Sequence, residues 1–221
     1  RPRLRRQERP ERIPLSFAQR RLWFLHRLEG PSPTYNIPFV LKITGPLNHD
    51  ALHAAVHDVV HRHEALRTVF PDDRGEPYQH ILPAHQTTVP WEHHHLDEHT
   101  LTHHLTQAAR HPFDLSRDIP IRVTVFQTAP HDNTVLLLIH HIAGDGWSLR
   151  PLLRDLATAY QARLDGQTPQ WPPLPVQYAD YTLWQQRQLL AGENTPGTLA
   201  HTQLQHWRTT LTDLPEQIPL P

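Results

Sequence analysis

A run of apolar residues that ends abruptly at two histidines constrains this chain more than any other feature. Val135-Leu136-Leu137-Leu138-Ile139 leads straight into His140-His141-Ile142-Ala143-Gly144-Asp145-Gly146-Trp147-Ser148. The apolar run predicts a buried strand. Behind the glycines, Leu149, Leu152, Leu153, Leu156, Tyr160 and Leu164 fall at helical spacing. The order is therefore strand, tight loop, helix. A histidine at the exit of a central strand can face a cleft, with backbone N–H groups from the loop and the partly positive N-terminus of the helix aimed at the same place.

The flanking sequence supplies the rest of a domain. Ser16 caps a helix through about Leu28, which Gly30-Pro31-Ser32-Pro33 stops. Ile37, Phe39, Leu41 and Ile43 alternate as in a half-buried strand, and a helix from about Asn48 to Ala65 carries Leu52, Ala55, Val56, Val59 and Val60 on one side. Short strands are predicted near 67–70 and 78–82. A helix is predicted over 97–110, and a strand around Ile119 to Phe126 forms a hairpin with the run that ends at His140. Further helices are predicted near 178–190 and around Leu204 and Trp207. A Gly/Pro/Asn loop is expected at 192–197, and a proline-spaced connector from Leu214. Helices interleaved with strands predict an α/β, two-layer sandwich: a mixed, largely antiparallel sheet with helices on one face.

Composition narrows the function classes. A net charge of −1 over 221 residues gives no polyanion- or membrane-binding signal, so nucleic acid and membrane are not expected partners. No cysteine is present, which removes disulfides, thiolate metal sites and thiol nucleophiles. No apolar stretch approaches the roughly 20 residues that span a bilayer, the N-terminus lacks a signal-peptide core, and the expected location is cytoplasmic. A start at Arg-Pro-Arg-Leu without methionine reads as a segment of a longer polypeptide. Twenty histidines and 23 prolines beside the single Lys42 read as compositional bias, which weakens arguments from histidine number. The cluster His93-His94-His95 with His99, His103 and His104 is accordingly not taken as a metal site, since neither a His-Glu-x-x-His pattern nor cysteine supports it. Hydrolase, kinase and dehydrogenase fingerprints are absent.

Neighbouring residues on a strand face opposite ways, so His140 and His141 cannot both reach one cleft. His140 is expected in the core, held by hydrogen bonds, and His141 in the cleft, where a neutral imidazole can accept a proton near pH 7. Two roles compete for Asp145: orienting His141 as the acid of a triad does, or pairing with a buried arginine. The ion pair is preferred, with Arg62, Arg67 and Arg122 as partners. Gly146 can turn its N–H toward a developing oxyanion or serve as a plain turn glycine.

His140-His141-x-x-x-Asp145-Gly146 resembles the signature of the condensation domains of nonribosomal peptide synthetases. Ser16-Phe17-Ala18-Gln19-Arg20-Arg21-Leu22-Trp23-Phe24-Leu25 resembles that family's opening motif, and Arg62-His63-Glu64-Ala65-Leu66-Arg67-Thr68-Val69-Phe70 its second. Tyr178-Ala179-Asp180-Tyr181-Thr182-Leu183-Trp184 resembles the motif after the histidines. The four stand in the family's order over residues 16 to 184. The resemblance implies a lobe like that of chloramphenicol acetyltransferase: an interdomain linker over 1–13, the N-terminal lobe over 14–175, and helices and a connector over 176–221 toward a C-terminal lobe that is missing here.

It implies amide bond formation between donor and acceptor thioesters. No cofactor is bound by this chain; phosphopantetheine arms on partner carrier domains hold the substrates. Implied partners are the upstream and downstream peptidyl carrier domains, the C-terminal lobe, and the adenylation domain of the same assembly line. His141 becomes the catalytic histidine, as base or as positioner of the amine. His140, Asp145 and Gly146 stand in the same signature, and Arg62, Arg67, Arg122, Trp147 and Ser148 give structural support. The tail Asp145-Gly146-Trp147-Ser148 and Pro31 to Pro38 resemble the subtype that joins an L-donor to an L-acceptor. The isolated lobe is expected to be inactive. Alternatives are another acyltransferase with the same signature and a noncatalytic carrier-docking module.

Overall fold

A computed structural model describes residues 3–190 and 195–215. Of the expected 192–197 loop and the tail from Leu214, residues 192–194 and 216–221 lie outside the described residues. The chain runs β1 (Ile13–Pro14), α1 (Phe17–Glu29), β2 (Asn36–Thr44), α2 (His49–Arg62), β3 (Thr68–Val69), β4 (Asp72–Asp73), β5 (Glu76–Ile81) and β6 (Trp91–His95). It continues α3 (Glu98–Ala109), β7 (Ile121–Ala129), β8 (Asp132–His140), α4 (Gly146–Leu164), α5 (Tyr178–Leu190) and α6 (Leu199–Thr210).

The main sheet has the order β2-β8-β7-β6, antiparallel except for the parallel pair β6 and β7. Pro130-His131 turns β7 into β8 as a hairpin, with a register shift between Gln127 and Ala129. Every residue of β8 from Asn133 to His140 is buried. The reason is layering on both faces. Val135, Leu137 and Ile139 pack with Leu52, Val56, Val59 and Val60 of α2 and Leu152 and Leu156 of α4. Leu136 and Leu138 pack with Leu22 of α1, Phe113, Phe126 and, around them, Leu101 and Leu105 of α3.

The α/β class and the mixed, largely antiparallel sheet agree with the sequence reading. Helices on one face alone do not: α1 and α3 cover the second face, and a strand with no polar side chains exposed requires such a second layer.

Two further elements differ from expectation. β6 lies parallel to β7 at the sheet edge, joined to it through α3, and its Glu92 to His95 are all exposed. It is held by backbone pairing, so it has no apolar alternation to read. A second, small sheet places β5 between β1 and β3, with β4 also on β5. Within it, Gln79 donates to the Pro14 carbonyl at 2.8 Å.

The segment read as a solvated linker is fastened to the body from Gln7 onward. Asp180, at the start of α5, has a side chain with no exposed surface. It accepts from the backbone N–H of Gln7 at 3.1 Å and of Gln177 at 2.8 Å, and from the Arg9 guanidinium at 3.3 Å. Arg9 also reaches Glu64 at 2.8 Å. Burial alone would raise the Asp180 pKa, but the N–H groups of Gln177 and Gln7 and the Arg9 charge together hold it below the usual carboxylate range.

Removing the carboxylate leaves the backbone N–H groups of Gln7 and Gln177 without this acceptor and Arg9 with Glu64 alone. Asp180→Ala should therefore lower the unfolding free energy by about 2–3 kcal/mol in urea titrations. A loss below about 1 kcal/mol would show that the strap contributes little to the fold.

Candidate active site at the end of strand β8

The last residue of β8 holds the turn that follows it. His140 is 3% exposed, and its Nδ1 accepts a hydrogen bond from the Ile142 N–H at 3.1 Å. Its carbonyl accepts from the Ala143 N–H at 3.0 Å. An accepting Nδ1 means that a neutral ring carries its proton on Nε2. Burial, with smaller contributions from His26 and His141, pushes the His140 pKa down to about 4. Phe113 meets the ring edge-on at 5.9 Å. His140 is therefore a neutral structural imidazole inside the second core cluster, as the strand argument required.

His141 turns outward. Its N–H donates to the Tyr35 carbonyl at 2.8 Å, which ties the turn to the loop before β2. Its side chain is exposed and lines a cleft of about 500 Å³ whose walls include Phe17 and Arg21 of α1, Tyr35, Asp145 and Tyr178. Tyr178 shares a 2.9 Å hydrogen bond with Ser16, which also caps α1 in a reciprocal box with Gln19. Burial raises the Tyr178 pKa, so the phenol stays protonated. Behind the turn lies a second, mostly apolar cavity of about 290 Å³ between Ile37, Leu66, Leu149, Leu152 and Val176. Ala143, Gly144, Asp145, Ser148 and Tyr178 line both spaces and form the partition between them.

Asp145 is the N-cap of α4 and pairs with none of the three expected arginines. Its Oδ1 accepts from the Ser148 N–H at 3.0 Å and the Ser148 hydroxyl at 2.8 Å, while its own N–H donates to Ser148 Oγ at 3.1 Å. These bonds, led by the Ser148 hydroxyl, keep its pKa below the usual carboxylate range. The local cap captures the acid before a distant arginine can.

Arg62 instead pairs with Asp155, a turn-and-a-half further into α4 than Leu149, at 2.8 Å and with both side chains buried. Asp155 also contacts His63 Nε2 at 2.9 Å, and Arg62 stacks over Trp171 at 4.7 Å. Arg67 faces Glu64 at 3.9 Å and donates to the Leu82 carbonyl, and Arg122 pairs with Glu92 at 2.6 Å. Gly146 begins α4 and lines neither cavity; Gly144 takes that place. Ser148 supports the turn as expected of its position, but Trp147 is 91% exposed and braces nothing within this lobe. Arg21, in the quoted opening motif, and Tyr35, in the stretch Pro31 to Pro38, were given no role in the site. Tyr178 stood in a quoted motif without a role.

The family model of the condensation domain matches residues 10–221. The chain is 53% identical over 220 residues to a dimodular nonribosomal peptide synthase of Bacillus subtilis, covering 100% of this chain and 9% of that protein. It is 44% identical to an isonitrile lipopeptide synthase of Mycobacterium tuberculosis, covering 97% of this chain and 9% of that protein. The X-domain from teicoplanin biosynthesis, solved alone and in complex with OxyB, is 38% identical, with TM-scores of 0.91 and 0.93. All of this chain and 48% of the X-domain chain are covered. The chain thus spans about half the length of that structural relative and a small fraction of the synthetases.

Two outcomes follow from the geometry. Asp155→Ala leaves Arg62 buried without its partner and should lower stability by about 3–5 kcal/mol, whereas Asp145→Ala loses a cap worth about 1 kcal/mol. Chemical denaturation of the two variants would reverse that order if Asp145 carried the main ion pair.

His140 makes the fold acid-sensitive. The unfolded histidine takes up its proton near pH 6.5, while the folded one resists until about 4, so this contribution is complete above 6.5 and lost as pH falls between those values. The stability lost reaches roughly 3 kcal/mol below pH 4. Urea unfolding from pH 7.5 to 4.5 should show a shallower slope for His140→Asn, whose Oδ1 replaces the accepting nitrogen; an unchanged slope would exclude His140 as the sensor.

Proposed function

The chain belongs to the condensation domain family of nonribosomal peptide synthetases, and from that premise we propose that it is the histidine-bearing lobe of a peptide-bond-forming site. The observation that carries this reading is the outward His141 at the exit of β8, set in the cleft while His140 holds the turn. In the proposed reaction the amine of an acceptor aminoacyl thioester attacks the carbonyl carbon of a donor acyl or peptidyl thioester. A C–N bond forms, the C–S bond breaks, and the donor carrier leaves as a thiol.

His141 holds the attacking amine or removes its proton, which then passes to the departing sulfur. The Asp145 carboxylate lies on the same wall of the cleft as His141. Tyr178 and Tyr35 narrow the cleft around the reacting atoms, and the apolar cavity behind the partition offers room for a substrate side chain.

Phosphopantetheine arms bring both substrates from upstream and downstream carrier domains, so the arms enter as part of the substrate. The adenylation domain of the assembly line supplies the activated residues, and the location is the cytoplasm; among the described residues no helix is long and apolar enough to cross a membrane. A second lobe completes the site. Support comes from apolar side chains left in solvent: Trp147 at 91%, in the first turn of α4, and, along one side of α1 from the cleft outward, Phe17, Phe24 and Leu28 at 43%, 57% and 70% exposure. Lobe 14–175, connector 176–221 and linker 1–13 remain the proposed division.

A second reading has its own observation. The X-domain relative is solved in complex with OxyB, which favours a docking module that recruits a partner and performs no chemistry.

A single-turnover assay with donor- and acceptor-loaded carrier domains separates the two readings. The chain extended through its second lobe should form the amide, the 221-residue chain alone should not, and His141→Ala in the extended form should slow product formation by about 10²–10⁴. Carrier binding that survives His141→Ala, with no product from any form, would establish the docking reading.

A further inference from the structure

Away from the cleft, one flank of α2 presents a histidine every fourth residue: His49, His53, His57 and His61. Side chains at that spacing stand over one another on a helix. The edge strand β6 adds Trp91, His93 and His95 on its matching side, because alternate residues of a strand share a face. The rings touch in sequence. His61 meets His57 at 6.2 Å, His57 meets His53 at 4.7 Å, and His53 meets the Trp91 indole edge-on at 4.9 Å; His49 stacks on His93 at 4.3 Å. None of these residues lines either space beside the β8–α4 turn.

Imidazole nitrogens suit the borderline divalent ions, and two histidines four apart on a helix are a familiar half of a zinc site. The ring separations discriminate among the pairs. With metal–nitrogen bonds of about 2.0–2.1 Å and right to tetrahedral angles, two bound imidazoles have centres about 4.5–5.2 Å apart. His53 and His57 stand at 4.7 Å with their planes inclined by 62°. The His57–His61 pair is too wide. The His49–His93 pair lies nearly face to face, at 24°, so its nitrogens do not converge. His93 and His95 have a suitable separation, but both are exposed on an edge strand, whereas His53 and His57 are half-buried on one rigid helix. Asp58, the acid next to His57 in the chain, is already held by Arg163 at 2.7 and 2.6 Å.

We propose that His53 and His57 form a two-imidazole chelate for a borderline divalent transition-metal ion such as Ni²⁺, Cu²⁺ or Zn²⁺. Among the described residues no three His, Cys, Asp or Glu side chains are grouped to hold an ion, so water fills the remaining positions. Binding here staples two turns of α2 beside β6 and stabilises the folded chain, independently of what His141 does.

The test is thermal unfolding of the 221-residue chain with and without NiCl2, alongside His57→Gln and, as a control that breaks the exposed His99/His103 pair on α3, His103→Gln. At ten times the dissociation constant, Tm should rise by about 3–6 °C in the wild type. The rise should persist in His103→Gln and vanish in His57→Gln. If His57→Gln does not melt cooperatively without metal, His53→Gln removes the same chelate and replaces it. No rise in the wild type, a rise that survives loss of His53 or His57, or a rise lost in His103→Gln would each overturn the assignment.

Discussion

The hydrogen bond from the Ile142 N–H to His140 Nδ1 is the contact on which the site depends. A strand buried on both faces must release the chain at its end, and the first backbone groups past the ladder need partners where water is scarce. A short aliphatic side chain at 140 would offer no acceptor. The imidazole supplies one from inside the core and remains neutral because charging it there is expensive. With Ile142 and Ala143 both anchored on His140, the residue between His140 and Ile142 has only one way to face. His141 is exposed because its neighbour is not.

The same division between local and distant partners sorts the charges. A carboxylate at the start of a helix has a nearby backbone donor at almost no entropic cost, and Asp145 takes it. Asp155 is in the middle of α4, where the helix already satisfies its own backbone, so its carboxylate is free to neutralise Arg62 across the α2–α4 interface. One acid therefore shapes the turn and the other fixes the helix pair that supports it. The Arg62–Asp155 pair also brings His63, Trp171 and the Pro172 carbonyl to one spot, and of these His63 lines the apolar cavity.

How far each feature was legible follows from the range of the interactions behind it. The helices α1, α2 and α4 and the β7–β8 hairpin were readable because their apolar spacing and caps lie within a few residues of one another. The opposed fates of His140 and His141 were readable from strand geometry. The acid partner of Arg62 was not, since Asp145 and Asp155 both lie on the correct side in sequence and only the crossing of α2 over α4 chooses between them. The strand β6 was hidden because Trp91 to His95 carry no apolar alternation and owe their conformation to the backbone of β7. The second helical layer was hidden for a related reason: α3 buries no residue fully, so its stripe reads weakly although Leu101 and Leu105 close the core.

The fastening of the N-terminal segment has a consequence in time. Gln7 and Arg9 reach Asp180 across 173 and 171 residues of chain. On a ribosome adding about 5–20 residues per second, this segment waits roughly 10–30 s before its anchor has even been synthesised. Throughout that interval β1, its neighbour β5 and the cap of α1 must assemble with one side of their support absent. The strap is therefore the last large loop to close, a topological seal that distinguishes the finished lobe from a nascent one.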